Sequence, residues 1–199
     1  MICKKTNIPI YTCSKTAKYL KEVLNKNGTS YEIFDIKYNI PFNIDDIEII
    51  PFEISHDAVE PCGFNISHEN KTVTFATDLG YVSSSNFEYM KDSNFIVLES
   101  NYDLAMLDYG HYPFNLKCRI KGNLGHLSNF DTANTISNLQ NCIGTSPKDF
   151  LLAHLSENNN MLELAKQTID TTLSQNNIDL SSLNINYATK LLSKEEYLI

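Results

Sequence analysis

A mixed α/β fold is predicted from three observations. Strand-like runs rich in β-branched and aromatic residues crowd the first eighty positions, and from about residue 83 onward helical and strand patterns alternate. No tandem repeat or low-complexity linker interrupts them. The 199 residues suit one domain of ordinary size, so a single domain over residues 1–199 is expected.

Taken in order, residues 8 to 12 read as a short strand, and Ser14 caps a helix through about Lys26 with Ala17, Leu20, Val23 and Leu24 on one face. Strands are expected from Tyr31 to Ile36, Ile47 to Ile54, Cys62 to Ser67 and Lys71 to Thr77. The last two are joined by the polar turn His68-Glu69-Asn70. A helix at Ser83 to Lys91 precedes the apolar strand Asn94 to Glu99. Two short helices, Tyr102 to Asp108 and Pro113 to Lys121, are broken by Gly110 and Pro113. Ser128 or Asn129 caps a further helix carrying Ala133, Ile136 and Leu139. Phe150 to Ala153 is a buried strand, and a last helix starting at Asn160 sets Leu162, Ala165, Ile169 and Leu173 at helical spacing. An edge strand at Ile185 to Lys190 closes the order.

Composition narrows the function. The net charge of -8 argues against a broad basic surface for gripping nucleic acid, although a metal centre brings its own positive charge to a phosphodiester. No run approaches the roughly 18 apolar residues of a membrane helix, and the N-terminus has no secretory core, so no membrane partner and a cytoplasmic location are expected. Five scattered cysteines without a CxxC pair suggest reduced, mostly buried thiols.

The residues that carry chemistry fall at the ends of these elements. Asp78 follows the strand of KTVTFATDLGY beside Gly80, a position that suits a metal or catalytic carboxylate and equally suits a helix cap. Three of the five histidines, His56, His126 and His154, likewise close apolar or β-rich runs. His68 is expected in a solvated turn and His111 at the surface.

The stretches SHDAVEPCGF, ATDLGYVS, FIVLESNYDLAMLDYGHYPFNLKCRI, GNLGHLSN and LLAHLSENNNMLELA, in this order and spacing, resemble the metallo-β-lactamase superfamily, and within it the WalJ/YycJ branch of exonuclease-like hydrolases. The resemblance covers roughly residues 47 to 170. It implies an α/β sandwich (αββα) with two divalent metal ions (Zn, Mn or Fe) at the strand ends, acting on DNA or another phosphodiester, as in a 5′-3′ exonuclease. It casts His56, Asp78 and His154 as metal ligands, Asp78 bridging the pair, and His126 with Asp78 as catalytic residues. Two metals ~3.5–4 Å apart can neutralise a phosphate and activate water. Asp57 and Glu99 are expected to orient histidines, and Asn101 and Ser128 to touch substrate.

The superfamily's first metal motif, His-x-His-x-Asp-His, is absent from these residues. The expectation is therefore an N-terminally truncated fold, the last two-thirds to three-quarters of the family domain, with an incomplete site and an inactive chain. The alternative is a non-catalytic remnant or interaction module, stable only as a homo-oligomer or with a complementing N-terminal segment.

Overall fold

The computed structural model describes residues 8–26, 31–142 and 149–188. The chain starts with a parallel βαβ unit: β1 (Ile10–Cys13), α1 (Ser14–Lys26) and β2 (Ile33–Ile36), with Ile10 opposite Ile33 and Cys13 opposite Ile36. Ala17 and Leu24 bury the inner face of α1, whereas Val23 stays exposed. The Tyr11 ring stacks between Phe34 and Phe42, 4.9 and 5.2 Å away, and ties this unit to the start of the main sheet.

That sheet has seven strands in sequential order: β3 (Phe42–Ile44), β4 (Ile47–Glu53), β5 (Cys62–His68), β6 (Lys71–Ala76), β7 (Phe95–Glu99), β8 (Asp149–Ala153) and β9 (Asn184–Tyr187). Strands β3 to β6 pair antiparallel, as short turns require, and β6 to β9 pair parallel through helical crossovers. The crossovers are α2 (Ser84–Lys91), then α3 (Leu104–Tyr109), α4 (Phe114–Lys121) and α5 (Asn129–Gln140), and finally α6 (Leu162–Gln175). Met90 of α2, Ile136 and Leu139 of α5, and Ile169 and Leu173 of α6 bury one face of the sheet, meeting Ile96, Leu98, Phe150 and Leu152. β7 is buried at every position, as its unbroken apolar run requires of a central strand.

Several expectations shift. β3 was not foreseen; it is three residues long and exists by pairing with β4. The last helix starts at Leu162, because the buried side chain of Asn160 donates to the backbone oxygens of Ser100 and Asn101 and keeps that residue in the preceding loop. The helix expected to begin at Tyr102 begins at Leu104 with Asp103 as its cap, since buried Tyr102 forms a bridge to Ser128. Ser128 is the cap of α5, in a box with Asp131. β9 takes the expected edge position, and residues 189 and 190 of that prediction lie outside the described residues. Of the described cysteines only Cys13 is buried; Cys62 and Cys142 are partly covered and Cys118 is exposed.

Candidate metal centre

Three adjacent parallel strands end together, and each delivers one acidic or imidazole side chain to the same edge. Ala76, Leu98 and Leu152 lie in register across β6, β7 and β8. Asp78 follows β6 by two residues, Glu99 is the last residue of β7, and His154 is the first after β8. Asp78 and His154 both take φ of 60°, a left-handed conformation that costs a non-glycine residue on the order of 1–2 kcal/mol.

Two loops complete the arrangement. His126 comes from the turn between α4 and α5, where its amide donates to Ile120 O and Gly125 donates to Gly122 O. His56 lies beyond β4 in a loop fastened on both sides: Gly80 N donates to Ser55 O, and Asp57 N to Leu124 O. His56 Nε2, His126 Nδ1 and His154 Nδ1 stand 3.9, 3.7 and 3.4 Å from Asp78 Oδ1. The four residues singled out in the sequence thus share one cleft.

Each imidazole of the cleft has its Nδ1 on a protein acceptor. His126 Nδ1 and His154 Nδ1 both donate to Glu99 Oε1, at 2.8 and 2.5 Å, and His56 Nδ1 donates to Gly125 O at 3.0 Å. A carboxylate or carbonyl oxygen can only accept, so each ring carries a proton on Nδ1, which makes Nε2 its position open to a metal. That is the tautomer a metal-ligating histidine needs.

Glu99 is fully buried, and its other oxygen accepts from Leu79 N and Leu127 N at 3.0 and 3.3 Å. Burial pushes its carboxyl up, but the hydrogen bonds from His126 and His154 outweigh that and hold it below the ordinary carboxylate value. His154 is raised in return, first by its bond to Glu99. Donor atoms of Asp78, Glu99, His126 and His154 all lie within 4.8 Å of one another. With both its oxygens engaged by the protein, Glu99 is the group that orients the ligands, and the donors facing the cleft are one carboxylate and three imidazoles. This set fits a borderline divalent cation such as zinc, manganese or iron(II).

Some expected roles fall elsewhere. Asp57 faces Arg119, whose Nε and Nη2 reach its two oxygens at 2.5 and 2.8 Å, and this bond draws its carboxyl below the ordinary value; the backbone of Gly125 orients His56 in its place. Ser128 is wholly buried and spent on its cap, out of reach of any substrate. Asn101 lines the cleft and donates to His154 O. His68 pairs with Asp46 at the β5–β6 turn and His111 is exposed, both away from the site. The cap reading of Asp78 fails, since Ser83 caps α2.

Strand ends bearing histidines and a carboxylate in this arrangement define a mixed α/β fold with a candidate metal centre. A family model described as the beta-lactamase superfamily domain matches residues 1–154, so this chain belongs to the beta-lactamase superfamily. It is 33% identical over 179 residues to exodeoxyribonuclease YycJ of Bacillus anthracis, covering 88% of this chain and 65% of that protein. It is also 33% identical over 181 residues to exodeoxyribonuclease WalJ of Streptococcus pneumoniae, covering 88% of this chain and 64% of that one. The chain therefore spans just under two thirds of the length of these relatives. Among solved structures, the metallo-beta-lactamase fold protein YhfI of Bacillus subtilis superposes with a TM-score of 0.64 at 15% identity, over 91% of this chain and 62% of that one.

Proposed function

We propose that the 199 residues form one domain that takes part in metal-dependent hydrolysis of phosphodiesters, with a DNA strand as substrate, and that His56, Asp78 and His154 hold the metal. The observation that carries this reading is the convergence of three imidazoles on Asp78, each with Nδ1 spent on a protein acceptor. The names of the two relatives supply the substrate class. Bound divalent cations would neutralise the phosphate and acidify a water. His126, its Nδ1–H fixed by Glu99, would accept the proton of the attacking water at Nε2 and pass it to the leaving oxygen, a contribution typically worth ~10²–10⁴ in rate.

Three protein ligands shared between two cations make weak holders, so this chain by itself binds metal loosely and turns over slowly. No helix among the described residues is long and apolar enough to cross a membrane, and we place the reaction in the cytoplasm. The test is zinc titration against a competing chelating dye, with hydrolysis of bis(p-nitrophenyl) phosphate in added Zn²⁺ or Mn²⁺. Weak zinc binding that Asp78→Ala abolishes is expected. A wild-type chain that takes up no metal supports the interaction-module alternative instead.

A further inference from the structure

The cleft over Asp78 and His154 is an open space of about 580 Å³, and among the described residues its lining has one arginine or lysine, Arg119, beside the acids Asp78 and Glu157. The neighbouring lysines of α4 are committed elsewhere: Lys117 Nζ donates to Asp108 O and Gly110 O, and Lys121 Nζ to the Asp108 carboxylate. Arg119 spends two of its five N–H bonds on Asp57 and keeps the rest for the cleft, with its side chain 53% exposed. Across the same cleft lies the ring of Tyr112, its hydroxyl accepting from Asn158 Nδ2 at 3.0 Å. The segment that carries both residues also presents Tyr109 and Phe114, 90% and 78% exposed, with no packing reason for either.

A forked cation and a fixed aromatic ring lining one cleft match the repeating unit of a nucleic-acid strand, in which a charged phosphate alternates with a stacking base. A small diester would need only the cation. A paired duplex offers the ring only the outer face of its last base pair.

We infer that the α3–α4 segment, Leu104–Lys121, receives the unpaired end of a DNA strand: Arg119 binds the phosphate next to the one cleaved, and Tyr112 stacks on the adjoining base. Asp57 parks the guanidinium at the rim when the cleft is empty. The inference rests on the phosphodiester reading above, and its test is chosen to be independent of metal.

Anisotropy of a 5′-fluorescein-labelled single-stranded oligonucleotide, titrated with the chain in EDTA, reads the platform alone. Arg119→Gln is expected to weaken binding about tenfold and to lower the salt slope by about 1, while Asp57→Asn, which breaks the same ion pair but keeps the cation, stays within about twofold of wild type. Tyr112→Ala is expected to cost about fivefold or more, Tyr112→Phe almost nothing, and a blunt duplex of the same sequence to bind less well than the strand. Equal losses in Arg119→Gln and Asp57→Asn would make the pair a loop fastener and overturn the inference. So would Tyr112→Phe behaving like the alanine variant, or an oligonucleotide affinity that ignores both residues. Zinc uptake separates the two readings. A chain that binds zinc through Asp78 but not the strand through Arg119 loses the platform alone, and one that binds the strand as described yet takes up no metal keeps the platform and loses the metal reading.

Discussion

Glu99 Oε1 lies 2.5 Å from His154 Nδ1, although 55 residues separate them, and the same oxygen takes His126 Nδ1. One buried carboxylate at the end of the central strand therefore sets the tautomer of two imidazoles while its second oxygen holds the loops after Asp78 and before Ser128 through Leu79 N and Leu127 N. Glu99→Gln can serve only part of this set, because its amide nitrogen donates where Leu79 and Leu127, or the two histidines, need an acceptor. The expected result is a zinc affinity lower by ~10–100-fold, together with about 1–3 kcal/mol of lost stability in urea. Zinc affinity equal to wild type would remove Glu99 from the site.

Much of this centre can be anticipated from local pattern. A buried parallel strand must be apolar throughout and its polar residues must fall at the ends, so FIVLE marks the central strand, and the half-buried strand runs before Asp78 and His154 mark the edge where its neighbours end. The fork between Arg119 and Asp57, 62 residues apart, has no local signature, nor does the use of Gly125 O to orient His56. Strand β3 is hidden for a similar reason, since three residues show no period and only pairing with β4 defines them. The roles given to Asp57 and Ser128 failed because polar residues beside a ligand compete for several partners, which three-dimensional proximity alone decides.

The left-handed backbone of Asp78 gives a prediction that separates ligand from scaffold. At φ 60° a Cβ is strained, so Asp78→Ala keeps that strain while losing the carboxylate, and Asp78→Gly relieves it. Both variants are expected to lose zinc binding, but in metal-free urea unfolding Asp78→Gly should be more stable than Asp78→Ala by about 1 kcal/mol. An alanine variant as stable as the glycine one would mean that the strand ends relax without resistance.

The cysteines offer a check that does not involve the metal. Burial first, then the neighbouring Cys13 thiol and Glu60, pushes the Cys62 thiol up to about 12. The thiolate is the reactive form, so a raised value means less of it at any given pH below that point. Between pH 7 and 9 Cys62 should resist iodoacetamide, with its rate still climbing toward pH 11. Among the described cysteines, exposed Cys118 should be modified first. Peptide mass mapping over a pH series reads this order, and early labelling of Cys62 at pH 8 would contradict the packing described around it.

Gly125 is where fold and site are least separable. A Cβ built there would meet Ile120 O at 2.1 Å and Arg119 O at 2.3 Å, both backbone atoms at the end of α4 that cannot swing aside as a side chain could. Its carbonyl holds the His56 ring, and His126 follows it directly with an amide bonded to Ile120 O. Gly125→Ala must therefore push the turn away from α4, moving the His56 acceptor and the His126 ring together. About 1–3 kcal/mol of lost stability is expected from the overpacking, and zinc affinity should fall by ~10–100-fold as the ligand His56 loses its aim. Gly122→Ala serves as the control, because its Cβ would meet Cys118 O only at 3.2 Å and it orients neither histidine directly. Chemical denaturation and dye-competition titration of both variants give the comparison. A Gly125→Ala chain that loses stability yet keeps full zinc affinity would show that this turn supports the fold without aiming the histidines.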